Sequence, residues 1–509
     1  MDKNCGKTLS VWTDTFKVRE FETLKENTEA EVCIIGAGIS GLTSAYLLAT
    51  EGKKVIVIDD GNLGGGETGN TTAHISSVID DGFSRMEELH GKDAANLASQ
   101  SQRSAVYEIE RIIQKENILC DFKKVDGYLF FKPDDTLFTE EHEAAMRAGM
   151  EVEISTSPLK SFEDHNTLKF PGQAQFHVLK YVSALAGAIL RMNGKIFTGT
   201  FANRIEDSKE NVIINTRNGF SIKTRDAVIA TNSPISDYLA IHTKQSAYRT
   251  YVIGYKIKKN SVPVALYWDT EEPYHYIRVH PHEENDVLII GGEDHKTGQE
   301  EDTEERFERL EEWSLKHFDG LTFPEYKWSG QVMEPVDGLS YIGKDPENSE
   351  HVYIVTGDSG MGMTHATYGG MLICDLIVGK ENRWSELYDP KRITVKSAGE
   401  FIKEGANVLS QYVDFVTPGN VENAEDVKSE EGAVLRDGFE KFAVYKDSEG
   451  NVHKFSALCP HLKCVLHWNN VEKSWDCPCH GSRFDCIGKV LNGPAISDMK
   501  KISINETAK

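Results

Sequence analysis

No stretch of this chain approaches the roughly 18 consecutive apolar residues that cross a bilayer, and its first residues, MDKNCGKTLSVWTDTFKV, place no apolar run behind their lysines. Neither a secretory signal nor a membrane anchor is expected; the expected location is the cytoplasm, without membrane insertion. Positive charge is also scarce: 56 Lys and Arg stand against 80 Asp and Glu, a net charge of -24. That balance repels phosphate backbones and anionic lipids, so nucleic acid is not an expected partner. Cysteine is sparse and unevenly placed. Cys5, Cys33, Cys120 and Cys374 are scattered, whereas Cys459, Cys464, Cys477, Cys479 and Cys486 crowd together near the end. Scattered cysteines in a reducing compartment read as small buried hydrophobes, and Cys486 reads as an ordinary core residue. The cluster reads as a metal site.

What is present is material for more than one core, since 509 residues exceed what one hydrophobic core supports. EVCIIGAGISGLTSAYLLATEGKKVIVIDD (31–60) reads as strand, turn, helix, strand. Gly36, Gly38 and Gly41 stand at the first strand-to-helix junction, where missing side chains admit a pyrophosphate to the N–H groups of a helix N-terminus. Asp59, at the end of the second strand, is placed to accept hydrogen bonds from a ribose diol. Gly64, Gly66 and Gly69 repeat the spacing but precede NTTAHISSV, which is no amphipathic helix. Context therefore selects the first copy as a dinucleotide site.

Further segments follow in a fixed order: LGGGETGNTTAHIS (63–76), DAVIATNSP (226–234), EPVDGLSYIG (334–343) and VYIVTGDSGMGMTHATYGG (352–370). With the fingerprint they resemble FAD-dependent oxidoreductases of the D-amino-acid oxidase or glycine oxidase type, over about residues 10–380. The resemblance implies that Gly362, Met363 and Thr364 sit beside the flavin, that Asp358 holds the ribityl chain, and that Thr71 and Thr72 touch the cofactor from the other side. FAD-binding segments are expected at about 28–80, 170–240 and 345–380, with a substrate layer at about 81–169 and 241–344. Within that layer, residues 270–294 read as a hairpin with a polar turn at His282 to Asp286. Tyr276 and Arg278 share one strand face, and in related oxidases such a pair grips a substrate carboxylate. A solvated strand face is the alternative. His365 is a candidate catalytic group, although a lone histidine also serves structure.

After residue 380 the text changes. SAGEFIKEGANVLSQYVDFV (397–416) reads as an amphipathic helix, with a capping box from Ser397 and Glu400 and an apolar stripe of Ala398, Phe401, Ile402, Leu409, Tyr412 and Val413. It is expected to strap one domain to another across a linker of about 381–420. Short alternating strands then suggest a small antiparallel β domain over 421–509.

Two loops in that domain, CPHLKC (459–464) and CPCHGS (477–482), each present one Cys and one His: Cys459 with His461, and Cys477 with His480. Two thiolates and two imidazoles suit a [2Fe-2S] centre of the Rieske type. They also suit a mononuclear zinc ion, which would leave Cys464 and Cys479 unused. Together with FDCIGKVLNGPA (484–495), the loops resemble Rieske proteins, especially those of respiratory cytochrome bc complexes. The resemblance implies a Cys464–Cys479 disulfide tying the loops together. It also implies a Ser482 hydroxyl bonded to a bridging sulfide. Phe484 stands where high-potential members carry Tyr, and Lys463 where they carry Gly.

The expected architecture is an α/β Rossmann-type FAD-binding domain with an inserted α+β substrate domain, plus a small C-terminal all-β Rieske domain. FAD and a [2Fe-2S] cluster are the expected cofactors. The expected activity is oxidation of a small amine, amino acid or related small-molecule substrate, with electrons passed singly through the cluster to an external carrier. A reductase running the other way, or a non-catalytic redox sensor, is the alternative.

Overall fold

The computed structural model describes residues 5, 6, 8–235, 239–282, 284–300, 302–346, 350–415 and 417–502. Residue 283 of the expected hairpin turn, Val416 of the expected linker helix and residues 503–509 of the C-terminal domain lie outside these.

The runs Val32–Ile35 and Val55–Ile58 are buried at every position and pair in parallel, Val32 opposite Val55. Strands buried on both faces need apolar residues throughout, which is why neither run alternates. They lie in a six-stranded sheet ordered Tyr341–Lys344, Val352–Thr356, Asp226–Ile229, Val32–Ile35, Val55–Ile58, Lys195–Phe197. Only the Tyr341–Lys344 pairing is antiparallel. Helices Ile39–Thr50 and Gly362–Val378 begin where the Val32–Ile35 and Val352–Thr356 strands end, so both helix N-termini open at the same sheet edge.

A second, nine-stranded sheet carries Gln245–Ile257 between Tyr326–Pro335 and Asp286–Lys296, and continues through His275–Pro281 and Leu266–Asp269. The hairpin expected over 270–294 is there, with arms His275–Pro281 and Asp286–Lys296 pairing His280 with Val287. The C-terminal part folds as two small antiparallel sheets of three and four strands. Tyr445, Trp475 and Phe484 are buried in its own core.

Several features tie this β unit to the rest. Arg249, fully buried, donates twice from Nη2 to the Glu472 carboxylate, at 2.6 and 2.7 Å. Glu472 also accepts from Arg483 Nη2 at 2.7 Å, and Arg483 Nε donates to Asp476 Oδ1 at 3.0 Å. Cys5 forms a disulfide with Cys486. This corrects the expectation that both are unpaired core cysteines: 481 residues separate them in sequence, and only the returning chain brings their Cα atoms to 5.4 Å. Cys33, Cys120 and Cys374 are free and buried, as expected.

The linker helix runs Ala398–Gln411 and does join the units, but of its apolar stripe Tyr412 takes part while Phe401, Ile402, Leu409 and Val413 stay exposed. Glu404 accepts from Ser246 Oγ at 2.7 Å and from Lys296 Nζ at 2.5 Å, while Tyr412 Oη donates to the Leu462 carbonyl at 2.9 Å. Ile402 and Leu409 are each 70% exposed. The capping box is not made either: the Ser397 hydroxyl donates back to the Thr394 carbonyl at 2.9 Å. The Glu404 contacts, off the stripe, and Tyr412 at its edge set its rotation, which apolar periodicity could not foretell.

Candidate active site and cluster site

One cavity of about 770 Å³ runs from the glycine fingerprint to the nine-stranded sheet, within the size range of cofactor and ligand pockets. Gly36 and Gly38 line it. The turn needs both Gly36 and Gly41 bare: a Cβ on Gly41 would lie 1.8 Å from the Gly36 carbonyl oxygen, and one on Gly36 2.4 Å from that of Ala230. Asp59 borders the cavity and accepts from Ala37 N–H at 2.6 Å and Gly61 N–H at 2.8 Å, holding the loop open. Burial, then repulsion from Asp60, pushes its carboxyl up to about 7. Gly41→Ala is expected to release the dinucleotide from an otherwise folded chain; flavin content of the purified protein measures it.

Thr71, Thr72, Asp358, Gly362, Met363 and His365 also line the cavity. Asp358 accepts from Met333 N–H at 3.1 Å, and burial raises its carboxyl to about 6. Burial drives His365 down to about 3, so the ring is neutral; its Nδ1 lies 3.3 Å from Ser340 Oγ. Thr364, between Met363 and His365 in sequence, is not among the lining residues. It is buried in the helix and donates to the Met361 carbonyl at 3.3 Å, because its position on the first turn faces the core.

Tyr276 is in the wall, its hydroxyl 2.8 Å from Thr250 Oγ1. Arg278 is not. Its guanidinium turns under the Thr71–Ala73 loop and donates from Nη1 to the carbonyls of Thr72 at 2.8 Å and Ala73 at 2.7 Å, with Trp12 stacked at 5.2 Å. Burial lowers it to about 9. The pair shares a strand face, but the carbonyls of Thr72, Ala73 and, at 3.3 Å from Nη2, Phe176, with an indole, claim the arginine, so it is a structural residue of the loop floor rather than a carboxylate clamp.

In the C-terminal unit the first loop closes by Cys459 N–H to the Cys464 carbonyl at 2.8 Å and the second by Cys477 N–H to the Ser482 carbonyl at 2.8 Å. The Cys464–Cys479 disulfide joins them. Cys477 Sγ lies within 4.8 Å of those two sulfurs, but an oxidised pair offers no thiolate to a metal. The remaining thiols, Cys459 and Cys477, are free and buried. His461 and His480 stand edge-to-face with centroids 5.1 Å apart. Burial keeps both imidazoles neutral, and both Nδ1 atoms are buried without a hydrogen-bond partner among the described residues. Buried unpaired ring nitrogens are costly unless a ligand satisfies them. Two adjacent thiols and two such imidazoles fit a [2Fe-2S] centre with two sulfur and two nitrogen ligands.

The cluster loops face the rest of the chain. Gly481 packs so closely on Ala247 that a Cβ would lie 2.2 Å from that of Ala247, and Gly298 faces the Pro478 backbone at 2.8 Å in the same sense. His242 packs edge-on to His461 at 5.2 Å and His480 at 6.4 Å. Gln331 lines the cavity and donates from Nε2 to the Gly481 carbonyl at 2.8 Å. Asn492 and neighbouring residues of the β unit close the cavity's other side, Asn492 Nδ2 bonding Glu67 Oε1 at 2.9 Å. Sequence reasoning missed His242, Gln331 and Asn492. No motif marks them; they matter only because two distant segments meet.

The sequence pattern of the FAD dependent oxidoreductase family (DAO) matches residues 31–376. The chain belongs to that family. The Rieske [2Fe-2S] domain matches residues 418–503, so the protein is an FAD-dependent oxidoreductase with a Rieske domain, and FAD and a [2Fe-2S] cluster are its cofactors. The Rieske 2Fe-2S iron-sulfur protein YhfW of Bacillus subtilis (strain 168) is 28% identical over 498 residues, covering 97% of each chain. Gamma-glutamylputrescine oxidoreductase of Escherichia coli (strain K12) is 22% identical, covering 72% of this chain and 88% of that one. Among solved structures, glycine oxidase from Geobacillus kaustophilus superposes with a TM-score of 0.61 at 17% identity, over 72% of this chain and 99% of the other. None of the helices in the described residues is long and apolar enough to cross a membrane.

Proposed function

We propose that this oxidoreductase removes a hydride from a C–H bond beside the nitrogen of a small amine, amino acid or related substrate and delivers the electrons singly to an external carrier. Gly36, Gly38, Gly41, Asp59, Thr71, Thr72, Asp358, Gly362 and Met363 would hold FAD; Cys459, His461, Cys477 and His480 would hold the cluster. The flavin supplies a two-electron acceptor and the cluster a one-electron relay. In the substrate the C–H bond breaks, the nitrogen lone pair forms C=N, and one proton leaves with the two electrons. Tyr276 and neutral His365 present hydrogen-bonding groups to the reacting end of the cavity, and the Asn492 segment limits access of water.

The observation that carries this reading is the contact between cavity and cluster loop through Gln331, one hydrogen bond from the residue that follows His480. A detached sensor module would need no such junction. The test is an anaerobic screen of amines and amino acids: bleaching of the flavin followed by the EPR signal of a reduced cluster supports the reading. Bleaching with a cluster that stays oxidised contradicts it.

Phe484 is fully buried in the cluster unit. Hydrogen bonds to a cluster stabilise its reduced form, and phenylalanine offers none. We expect a midpoint potential in the middle of the Rieske range of about -150 to +300 mV. Phe484→Tyr is expected to raise it, as redox titration would show; an unchanged or lower potential would count against this assignment.

A further inference from the structure

The same cavity bears on the kind of amine it admits, an inference that rests on the oxidation reading above. We propose that the cavity end bordered by Trp268, Tyr274, Tyr276 and Asp80 takes a cationic amine without a carboxylate, an alkylamine or diamine rather than an α-amino acid.

The first ground is what the wall lacks. Among the described residues no Lys or Arg lines the cavity. Arg278, the one candidate on the neighbouring strand, is spent on backbone carbonyls. The two histidines of the wall are neutral, since burial drives His74 and His365 each to about 3. A substrate carboxylate would be buried here with no opposite charge, which is costly.

The second ground is what the wall holds. Asp80 is open to the cavity, and its carboxyl makes no hydrogen bond or ion pair among the described residues. Behind the tyrosines, Asp294 accepts from Tyr274 Oη at 3.2 Å, and its Oδ1 is buried without a partner. Glu334 accepts from Ser359 Oγ at 2.7 Å nearby. The nearest cations stand outside: Arg85 acts on Asp81 and Arg306 on Asp294, and neither is in the wall. An ammonium entering the cavity would supply the charge that this end is missing, and the nitrogen to be oxidised would pass its proton to Asp80 before its lone pair forms C=N.

The third ground is independent of the acids. The rings of Tyr274 and Tyr276 lie 5.7 Å apart, and Trp268 joins them in the wall. Aromatic faces attract ammonium groups through their quadrupoles and contribute nothing comparable to a carboxylate.

The test uses the FAD-loaded full chain under anaerobic conditions and matched probes: 1,3- to 1,6-diaminoalkanes and butylamine against 4-aminobutanoate, glycine and proline. Perturbation of the flavin spectrum reports binding and bleaching reports oxidation. The expected result is tighter binding of a diamine than of its ω-amino-acid counterpart, by about tenfold or more. Asp80→Asn is expected to weaken diamine binding by a similar factor while retaining FAD, and Asp80→Glu to restore it. Bleaching by the amino acids alone overturns this inference and leaves amine or amino acid oxidation standing. Silence toward every probe overturns both. Diamine affinity unchanged in flavin-loaded Asp80→Asn overturns the assignment of Asp80.

Discussion

Glu472→Gln is expected to destabilise the protein by about 3–5 kcal/mol, the cost of stranding a buried charge. Arg249 is fully buried, and its Nε and Nη1 atoms have no hydrogen-bond partner among the described residues, so Glu472 is the carboxylate that balances it. Ser329 is its other side-chain partner among the described residues and carries no charge. The substitution keeps the shape of the side chain and removes the charge from a network that also contains Arg483 and Asp476. Because Arg249 belongs to the nine-stranded sheet and Glu472 to the Rieske domain, the loss falls on their junction. Thermal unfolding should split into two steps, with the cluster signal lost before the flavin. The double change Arg249→Met, Glu472→Met should recover most of the stability, since replacing both charges by apolar groups is often neutral. A double variant as unstable as the single one would show that packing, not charge, holds the junction.

Cys459→Ala is expected to abolish the Rieske EPR signal and to lower electron delivery to a one-electron acceptor by about 100-fold or more. Cys459 is buried at the hinge of the first cluster loop, where its N–H closes the turn on the Cys464 carbonyl; alanine keeps that backbone bond and removes only the sulfur. Cys477, His461 and His480 then provide three ligands where four are needed. FAD content and anaerobic bleaching by substrate should survive, because no atom of Cys459 touches the cavity. Retention of acceptor reduction at the original rate would mean that electrons leave without the cluster.

The parts of this molecule that could be foreseen are those whose physics is local. Val32–Ile35 and Val55–Ile58 were legible because a strand buried on both sides demands a short unbroken apolar run. The proposed cluster set was legible because two cysteines and two histidines sit in two loops with a fixed spacing. Arg278 shows the limit: alternation places its side chain on a face, but the carbonyls of Thr72 and Ala73 that claim it arrive from over 200 residues earlier. Cys5 and Cys486 carry no local mark of their pairing either. The linker helix failed differently. Its apolar stripe predicts a helix, and a helix forms, yet Glu404 and Tyr412 decide which side faces the protein. Amphipathicity constrains an element and leaves its rotation to partners that sequence does not reveal.

Flavin and iron–sulfur centre are proposed to share one wired unit. The most direct test is composition followed by reduction: protein purified without air is assayed for FAD, iron and acid-labile sulfide, then the flavin is photoreduced and the cluster EPR signal is followed. One FAD, two irons and two sulfides per chain, with the cluster reduced after the flavin by an intramolecular, dilution-independent step, is the predicted result. One zinc without sulfide, or a cluster whose reduction slows on dilution, would contradict it.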